Sequence, residues 1–440
     1  MDFKIQFDAS QHVGERCYKH TDGVIYCISD DGQYATASAT DPEVVEANIA
    51  NEIVVDGNVY PVITASFMRN ENIKVVNLSS NITRLGTQAF ENCKLDCLTI
   101  PASVTDIHCY AFYNCEVKKL VVNGCRGVDL SSFRSVENLY YDTFDTLMNV
   151  GKRPNAANLY IGGEKVNVLV VPEGVTELPE SFVTWCESLE EVVLPSTLKK
   201  INDYAFQNCT NLKKANLPEG LEKIGSYAFA ETAISEVTFP SSLTLINSGA
   251  YCKTKIENVD IPEGVEIGNS VFSSCYDLKS VKLPQSLTVL RSYLFDCCIS
   301  LAEIAIPESV TAIQKAAFYG CKLTSLELPA GLKTIGDEAF AFLPITEITI
   351  PASVTQIGEF VFEGCGNLAT VRSLIEDPAG CEVAAFEYPA RRGGRRGHFD
   401  FGKEVFYKQA TLYVPNVKGM VAAYKKKAAW KKFSSIVVSE

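Results

Sequence analysis

The sequence predicts a β-rich solenoid in which a short strand and a corner turn recur every 22–23 residues. Three observations predict it: the spacing of prolines, the apolar positions around them, and cysteines that share one place in the repeat. Ten of the 18 prolines are Pro101, Pro172, Pro195, Pro218, Pro240, Pro262, Pro284, Pro307, Pro329 and Pro351, and from Pro172 onward every step is 22 or 23 residues. Around Pro195 the recurring residues are Leu189, Val192, Leu194, Leu198, Ile201, Ala205, Phe206 and Cys209. Around Pro218 they are Leu212, Ala215, Leu217, Leu221, Ile224, Ala228 and Phe229. An earlier unit centres on Ser79 and keeps Ile82, Leu85, Ala89, Phe90 and Cys93, and eleven units lie between residues 76 and 373. A 22-residue coil cannot bury its own apolar side, so neighbouring coils must stack into one core.

Each repeated residue has a physical task. In L-x-x-V-x-L-P the last two apolar positions are two apart and share one face of a short strand. Proline ends that strand because it has no N–H for the next ladder bond. The second apolar pair, such as Leu198 and Ile201 or Leu332 and Ile335, points inward from the returning leg. Gly225, Gly336 and Gly358 follow that isoleucine, where a corner is expected to need positive φ. The A-F-x-x-C element is expected to make about one helical turn and to plug the coil with phenylalanine. Cys93, Cys115, Cys186, Cys209, Cys275, Cys298, Cys321 and Cys365 all occupy that corner, as small buried apolar residues rather than ligands or nucleophiles.

Regularity breaks in three places, which gives the domain division. Residues 2–75 carry strand-like runs (Val24–Ile28, Ile53–Val55, Val59–Val62) joined at Asp31-Gly32 and Asp56-Gly57, and read as an N-terminal β-hairpin cap. Residues 76–373 form the solenoid, with irregular coils at 119–167 that lose the Phe-x-x-Cys corner and include a hairpin at Gly162-Gly163. Residues 374–440 read as a C-terminal α/β cap holding a Gly/Arg-rich loop, one more strand and a helix near Val417–Phe433. Caps shield the open ends of a solenoid.

Blocks such as LKKANLPEGLEKIGSYAF and LTSLELPAGLKTIGDEAFAF resemble the BspA-like leucine-rich repeat family of bacterial cell-surface proteins. The resemblance spans about 300 residues and extends to TLYVP at 411–415 and the A-x-Y-K…W-K-K-F segment. It implies a leucine-rich repeat solenoid and a non-enzymatic, secreted or surface-exposed protein that binds host or neighbouring-cell macromolecules. A structural spacer with no ligand of its own is the alternative. The start, MDFKIQFDAS, lacks the apolar core of a signal peptide, so an extracellular location rests on the resemblance alone.

No G-x-S-x-G, Walker loop, H-E-x-x-H or dinucleotide fingerprint occurs, and only four histidines are present, so no catalytic residue, cofactor or metal is assigned. Outward strand positions from Glu191 to Arg372 contain no aromatic residue. The net charge of −13 argues against nucleic acid, yet it is unevenly spread. Residues 391–440 carry twelve Lys/Arg against three acids, a local +9 that leaves −22 for the rest. The candidate binding residues are therefore Arg391, Arg392, Arg395, Arg396, Lys425, Lys426, Lys427, Lys431 and Lys432. Host matrix or plasma proteins, or anionic surface glycans, are the expected partners of a monomeric chain.

Overall fold

The repeat length sets the register of the ladders. In the computed structural model, which describes residues 3–38, 43–68, 70–383 and 409–439, the inward isoleucine of one coil sits beside that of the next. Ile201 pairs with Ile224, Ile224 with Ile246 and Ile246 with Ile267 in parallel strands of two residues. Leu290, Ile313, Ile335 and Ile357 form a second such row. The fold is a leucine-rich repeat β-solenoid with little helix. It divides into two units, Met1–Leu169 with Ser181–Glu191 and Phe206–Leu212, and Val170–Glu180 with Val192–Ala205 and Lys213–Glu440.

The first unit contains a seven-stranded sheet. Its order is Glu164–Lys165, Ala156–Ile161, Ser135–Tyr141, Glu116–Val122, Lys94–Ile100, Val75–Asn77 and Glu46–Asn48. All pairs are parallel except the hairpin at Gly162-Gly163, whose glycines take φ of 60° and 91°. Parallel pairing thus reaches back to Glu46, inside the segment expected to form a cap. A second sheet of this unit includes the hairpin Glu52–Val55/Asn58–Ser66, turned at Asp56-Gly57, and the antiparallel strands Cys17–Lys19, Ile25–Ile28 and Ala35–Ser38. A disulfide joins the facing residues Cys17 and Cys27.

Phenylalanines run through the core as a stack. Phe67, Phe90, Phe112 and Phe133 succeed one another at 5.6, 5.4 and 4.0 Å. Phe133 therefore continues the plug into the coils where the Phe-x-x-Cys corner is lost. After it, the helix Phe144–Asn149 buries Leu147. Arg153 is buried and closes that helix by donating to the carbonyls of Leu147, Met148 and Gly151. The Leu147 and Met148 carbonyls are among the acceptors a helix end leaves without partners. In the second unit Phe272, Phe295, Phe318 and Phe340 stack at 6.1, 5.8 and 6.4 Å.

Three local expectations are corrected. The corner is not a helical turn but a chain of turns interrupted by left-handed residues two before and two after the phenylalanine, such as Tyr227 and Glu231 around Phe229. Alternate N–H groups leave the coil: those of Tyr227, Phe229 and Glu231 donate to the carbonyls of Ser248, Ala250 and Cys252 in the next coil. A helix would keep those donors to itself, so stacking wins over local helix formation. The conserved spacing of glycine after isoleucine also has another cause, because Gly225, Gly336 and Gly358 do not have positive φ. A Cβ on Gly336 would lie 2.6 Å from Gln314 C and Lys315 N of the preceding coil, so the requirement is close backbone approach. Finally, Val417–Phe433 is not one helix. An α-helix spans Met420–Lys426, Lys427 becomes extended, a 3-10 turn covers Trp430–Lys432, and a further strand, Ser435–Val438, pairs with Thr411–Val414.

The eight corner cysteines are all buried and unlinked. They do more than fill space. The thiols of Cys275, Cys298, Cys321 and Cys365 donate at 3.1 Å to the carbonyls of Tyr251, Phe272, Phe295 and Phe340 one coil earlier. The carbonyls of Tyr251, Phe272 and Phe295 also accept an N–H within their own coil, for instance Cys275 N–H to Phe272 O, so the thiol uses the second lone pair. Burial pushes the Cys365 thiol up to about 12 and Cys275 up to about 11, keeping both protonated at neutral pH.

Candidate functional site

The basic end is only partly placed. Arg391, Arg392, Arg395 and Arg396 lie outside the described residues. Lys425 and Lys426 are exposed in the last turn of the Met420–Lys426 helix, and Lys431 is exposed in the 3-10 turn beside half-buried Lys432. Lys427 is turned inward: its ammonium donates to Ala379 O at 2.7 Å and to Cys381 O at 3.4 Å. Its place is structural, holding the chain against the segment before the insertion.

On the outward side of the second unit some charges pair between coils. Lys279 pairs with Glu257 at 2.6 Å and Lys282 with Asp260 at 2.9 Å, each on the neighbouring coil. Such exposed pairs contribute little stability, and Glu236, Glu303, Glu327 and Glu347 on the same face stay exposed beside them.

A different surface emerges on the seven-stranded sheet of the first unit. Successive residues of a strand alternate between core and outside, so Leu98, Leu120, Leu139 and Leu159 go inward. Thr99, Val121, Tyr140 and Tyr160 then form one outward row. Cys97, Lys119, Asn138 and Asn158 form the row beside it. Tyr140 and Tyr160 stack at 4.1 Å with planes 12° apart. The Lys119 ammonium lies 4.8 Å from the Tyr140 ring centre, a cation–π contact. Partial burial and the facing Tyr160 phenol push the Tyr140 hydroxyl pKa up. Asn158 donates to Asn138 Oδ1 at 3.1 Å, and Asn138 donates to Lys118 O at 3.1 Å, which fixes both amides.

Beside these rows the strand starts line a groove of about 620 Å³ that includes Lys74, Lys94, Asp96, Glu116, Lys118 and Glu137. Two of its carboxylates are engaged, Asp96 by Lys118 at 2.7 Å and Glu116 by Arg134 at 2.9 Å. Lys74 reaches only the carbonyls of Glu71 and Lys94. Lys74, Lys94 and Lys119 carry no carboxylate partner, and on the same sheet the carboxylates of Glu46 and Glu137 carry no cation among the described residues. The arrangement offers aromatic surface, fixed amides and cations without carboxylate partners, which suits binding. Sequence reading missed it because the outward positions were followed only from Glu191 onward. The available signal was the 20-residue step between the strand segments ending in Tyr140-Tyr141 and Tyr160-Ile161.

Among the described residues no group of three His, Cys, Asp or Glu is placed to hold a metal ion. Nor is any of their helices long and apolar enough to cross a membrane.

No curated protein matches the sequence. Among solved structures the chain is similar to a leucine-rich repeat protein from Bacteroides ovatus, with 22% identity, TM-score 0.51, and coverage of 80% of this chain and 94% of that one. It is also similar to a leucine-rich cell surface protein from Faecalibacterium prausnitzii, with 21% identity, TM-score 0.41, and coverage of 82% and 95%. A third similar structure is the pneumococcal vaccine antigen PcpA, with 15% identity, TM-score 0.43, and coverage of 96% and 98%. These likenesses concern the fold. The model for the BspA-type leucine-rich repeat region matches in six copies over residues 51–153, 176–301 and 288–373, more than half of the chain, and the protein belongs to that family.

Proposed function

We propose that this is a non-enzymatic, surface-exposed or secreted leucine-rich repeat protein that binds macromolecules of a host or of neighbouring cells, and that the outward sheet face around Tyr140 and Tyr160 makes the contact. The observation that carries the reading is the Lys119–Tyr140–Tyr160 cluster beside the groove. Binding energy at protein surfaces concentrates on aromatic and cationic side chains whose geometry is already fixed, because little rotamer entropy remains to be lost. A cation–π contact on the second unit, Arg372 over Tyr413 at 4.8 Å, has no second ring stacked on it among the described residues. Family membership supports a surface location, and the Cys17–Cys27 disulfide fits an oxidising compartment.

The test is a surface array of matrix proteins, plasma proteins and glycans probed with the full chain and with a Tyr140→Ala/Tyr160→Ala variant of matched melting temperature. The expected result is capture by the unaltered chain that falls by about tenfold or more in the variant, the scale of a lost aromatic hot spot. Equal capture by both would remove the face from the account. No capture of any member by the unaltered chain would favour a spacer.

A further inference from the structure

We infer that the ligand of this face is an acidic glycan, a polysaccharide bearing carboxylate or sulfate groups, held by Lys119 and Lys94, Tyr160 and Asn158. The inference rests on the face being the contact surface, and it names the chemistry that the face selects. Three observations lead to it.

The first is charge. Residues 1–390 sum to −22, yet this sheet face presents Lys74, Lys94 and Lys119 without carboxylate partners, against the carboxylates of Glu46 and Glu137. A positive patch on an acidic body attracts an anion locally while the rest of the molecule repels it, which orients the approach. The second is the aromatic geometry. Lys119 covers one side of the tyrosine pair, and on the far side of Tyr160 the hairpin strand Glu164–Lys165 sets Lys165 directly opposite it, with no further ring stacked there among the described residues. A flat aromatic face beside fixed polar groups accommodates the C–H side of a pyranose ring, and the adjacent ammonium groups reach its acidic substituents. The third is the state of the amides. Asn158 spends its N–H on Asn138 and Glu137, leaving Oδ1 as an acceptor for a sugar hydroxyl. A second amide pair lies at the other end of the sheet, where Asn77 donates to Asn48 Oδ1 at 2.8 Å, in register with Thr99 and Tyr140 rather than with Asn158. An apolar helix or a peptide strand finds neither a hydrophobic trough nor an open edge in these rows.

Calorimetry with the full chain tests it, using heparin fragments, polygalacturonate fragments, neutral dextran and single-stranded DNA as probes. The variants are Lys119→Gln and Tyr160→Leu, each checked for unchanged melting, with Lys425→Gln/Lys426→Gln as a control at the other basic cluster. The expected result is binding of heparin or polygalacturonate but not dextran, with DNA weaker at equal charge. Affinity should fall by about tenfold in Lys119→Gln, the size of one lost charge-assisted contact, and be unchanged in the control. Whichever acidic sugar binds more tightly separates sulfate from carboxylate recognition. Equal binding by Lys119→Gln and Tyr160→Leu would overturn the inference, as would DNA binding as tight as the glycans. If the array instead yields a protein whose capture is lost in Tyr140→Ala/Tyr160→Ala, and no acidic glycan binds, the glycan assignment fails while the contact face stands. If the face variants alter no captured partner, both fail.

Discussion

Phe206 is fully buried and meets Phe182 edge-on at 6.0 Å, so its ring contributes both transfer energy and packing. Phe206→Ala should cost about 3–5 kcal/mol, the range for truncating a buried phenylalanine. Because each coil contacts only its neighbours, hydrogen exchange and proteolysis should rise first near residues 180–230. A melting curve and a cleavage pattern like those of the unaltered chain would contradict that packing. The cysteines give a second test at this scale. Cys109 is exposed, whereas Cys93, Cys209, Cys275, Cys298, Cys321 and Cys365 are buried and spend their thiols on carbonyls. Maleimide should label Cys109 first and the corner thiols only in denaturant; mass spectrometry that finds corner thiols modified early, or joined as coil-to-coil disulfides, would refute the buried donor role. The corner was legible as a set of buried positions because Phe and Cys recur there. Its hydrogen bonds were not, since a thiol's partner one coil away leaves no mark on spacing.

Neighbouring coils are also joined by acidic side chains just after the proline. Glu263 accepts from Gln285 N–H at 2.7 Å and from both the N–H and the hydroxyl of Ser286. Those bonds, led by the Gln285 amide, hold its pKa below the ordinary 4.5. A carboxylate with a lowered folded pKa stabilises fully above the unfolded value and loses that contribution as pH falls through the folded one. Amide exchange measured from pH 6 down to pH 3 should therefore show Gln285 and Ser286 losing protection below about pH 4.5, and Glu263→Gln should flatten the profile. A profile identical in the two proteins would rule the linkage out. Gly336 offers a steric test: Gly336→Ala should destabilise by about 1–3 kcal/mol because backbone of the preceding coil must move. Gly366→Ala, with nothing within 4 Å, serves as the neutral comparison, and equal denaturation midpoints would mean that the coils are not so closely apposed. Sequence showed that glycine mattered after the isoleucine but suggested turn conformation, since a close approach between coils depends on stacking and not on local order. The Val417–Phe433 segment was read too long for a related reason. Its Lys- and Ala-rich composition favours helix throughout, while the Lys427 contacts to Ala379 and Cys381 end the helix early.

Across the molecule, periodicity carried almost all of the fold and little of the site. Proline, isoleucine and phenylalanine mark each regular coil, so the ladders and their register follow from counting. The face at Tyr140 and Tyr160 lies where those markers lapse: Asn123 and Asp142 stand after the strands in place of proline, and the outward rows could not be aligned by the repeat. The Cys17–Cys27 disulfide was hidden as well, because a ten-residue separation has no signature until the strands Cys17–Lys19 and Ile25–Ile28 are paired. The proposed contact face falls where the pattern is relaxed, since the regular coils are constrained by stacking. Hydrogen-exchange footprinting of the full chain, with and without a saturating partner from the array or the glycan set, tests this most directly. The account predicts slowed exchange in Ser135–Tyr141 and Ala156–Ile161, with Met420–Lys426 unchanged. Protection confined to Met420–Val438, with the two tyrosine strands exchanging as in the free protein, would contradict it.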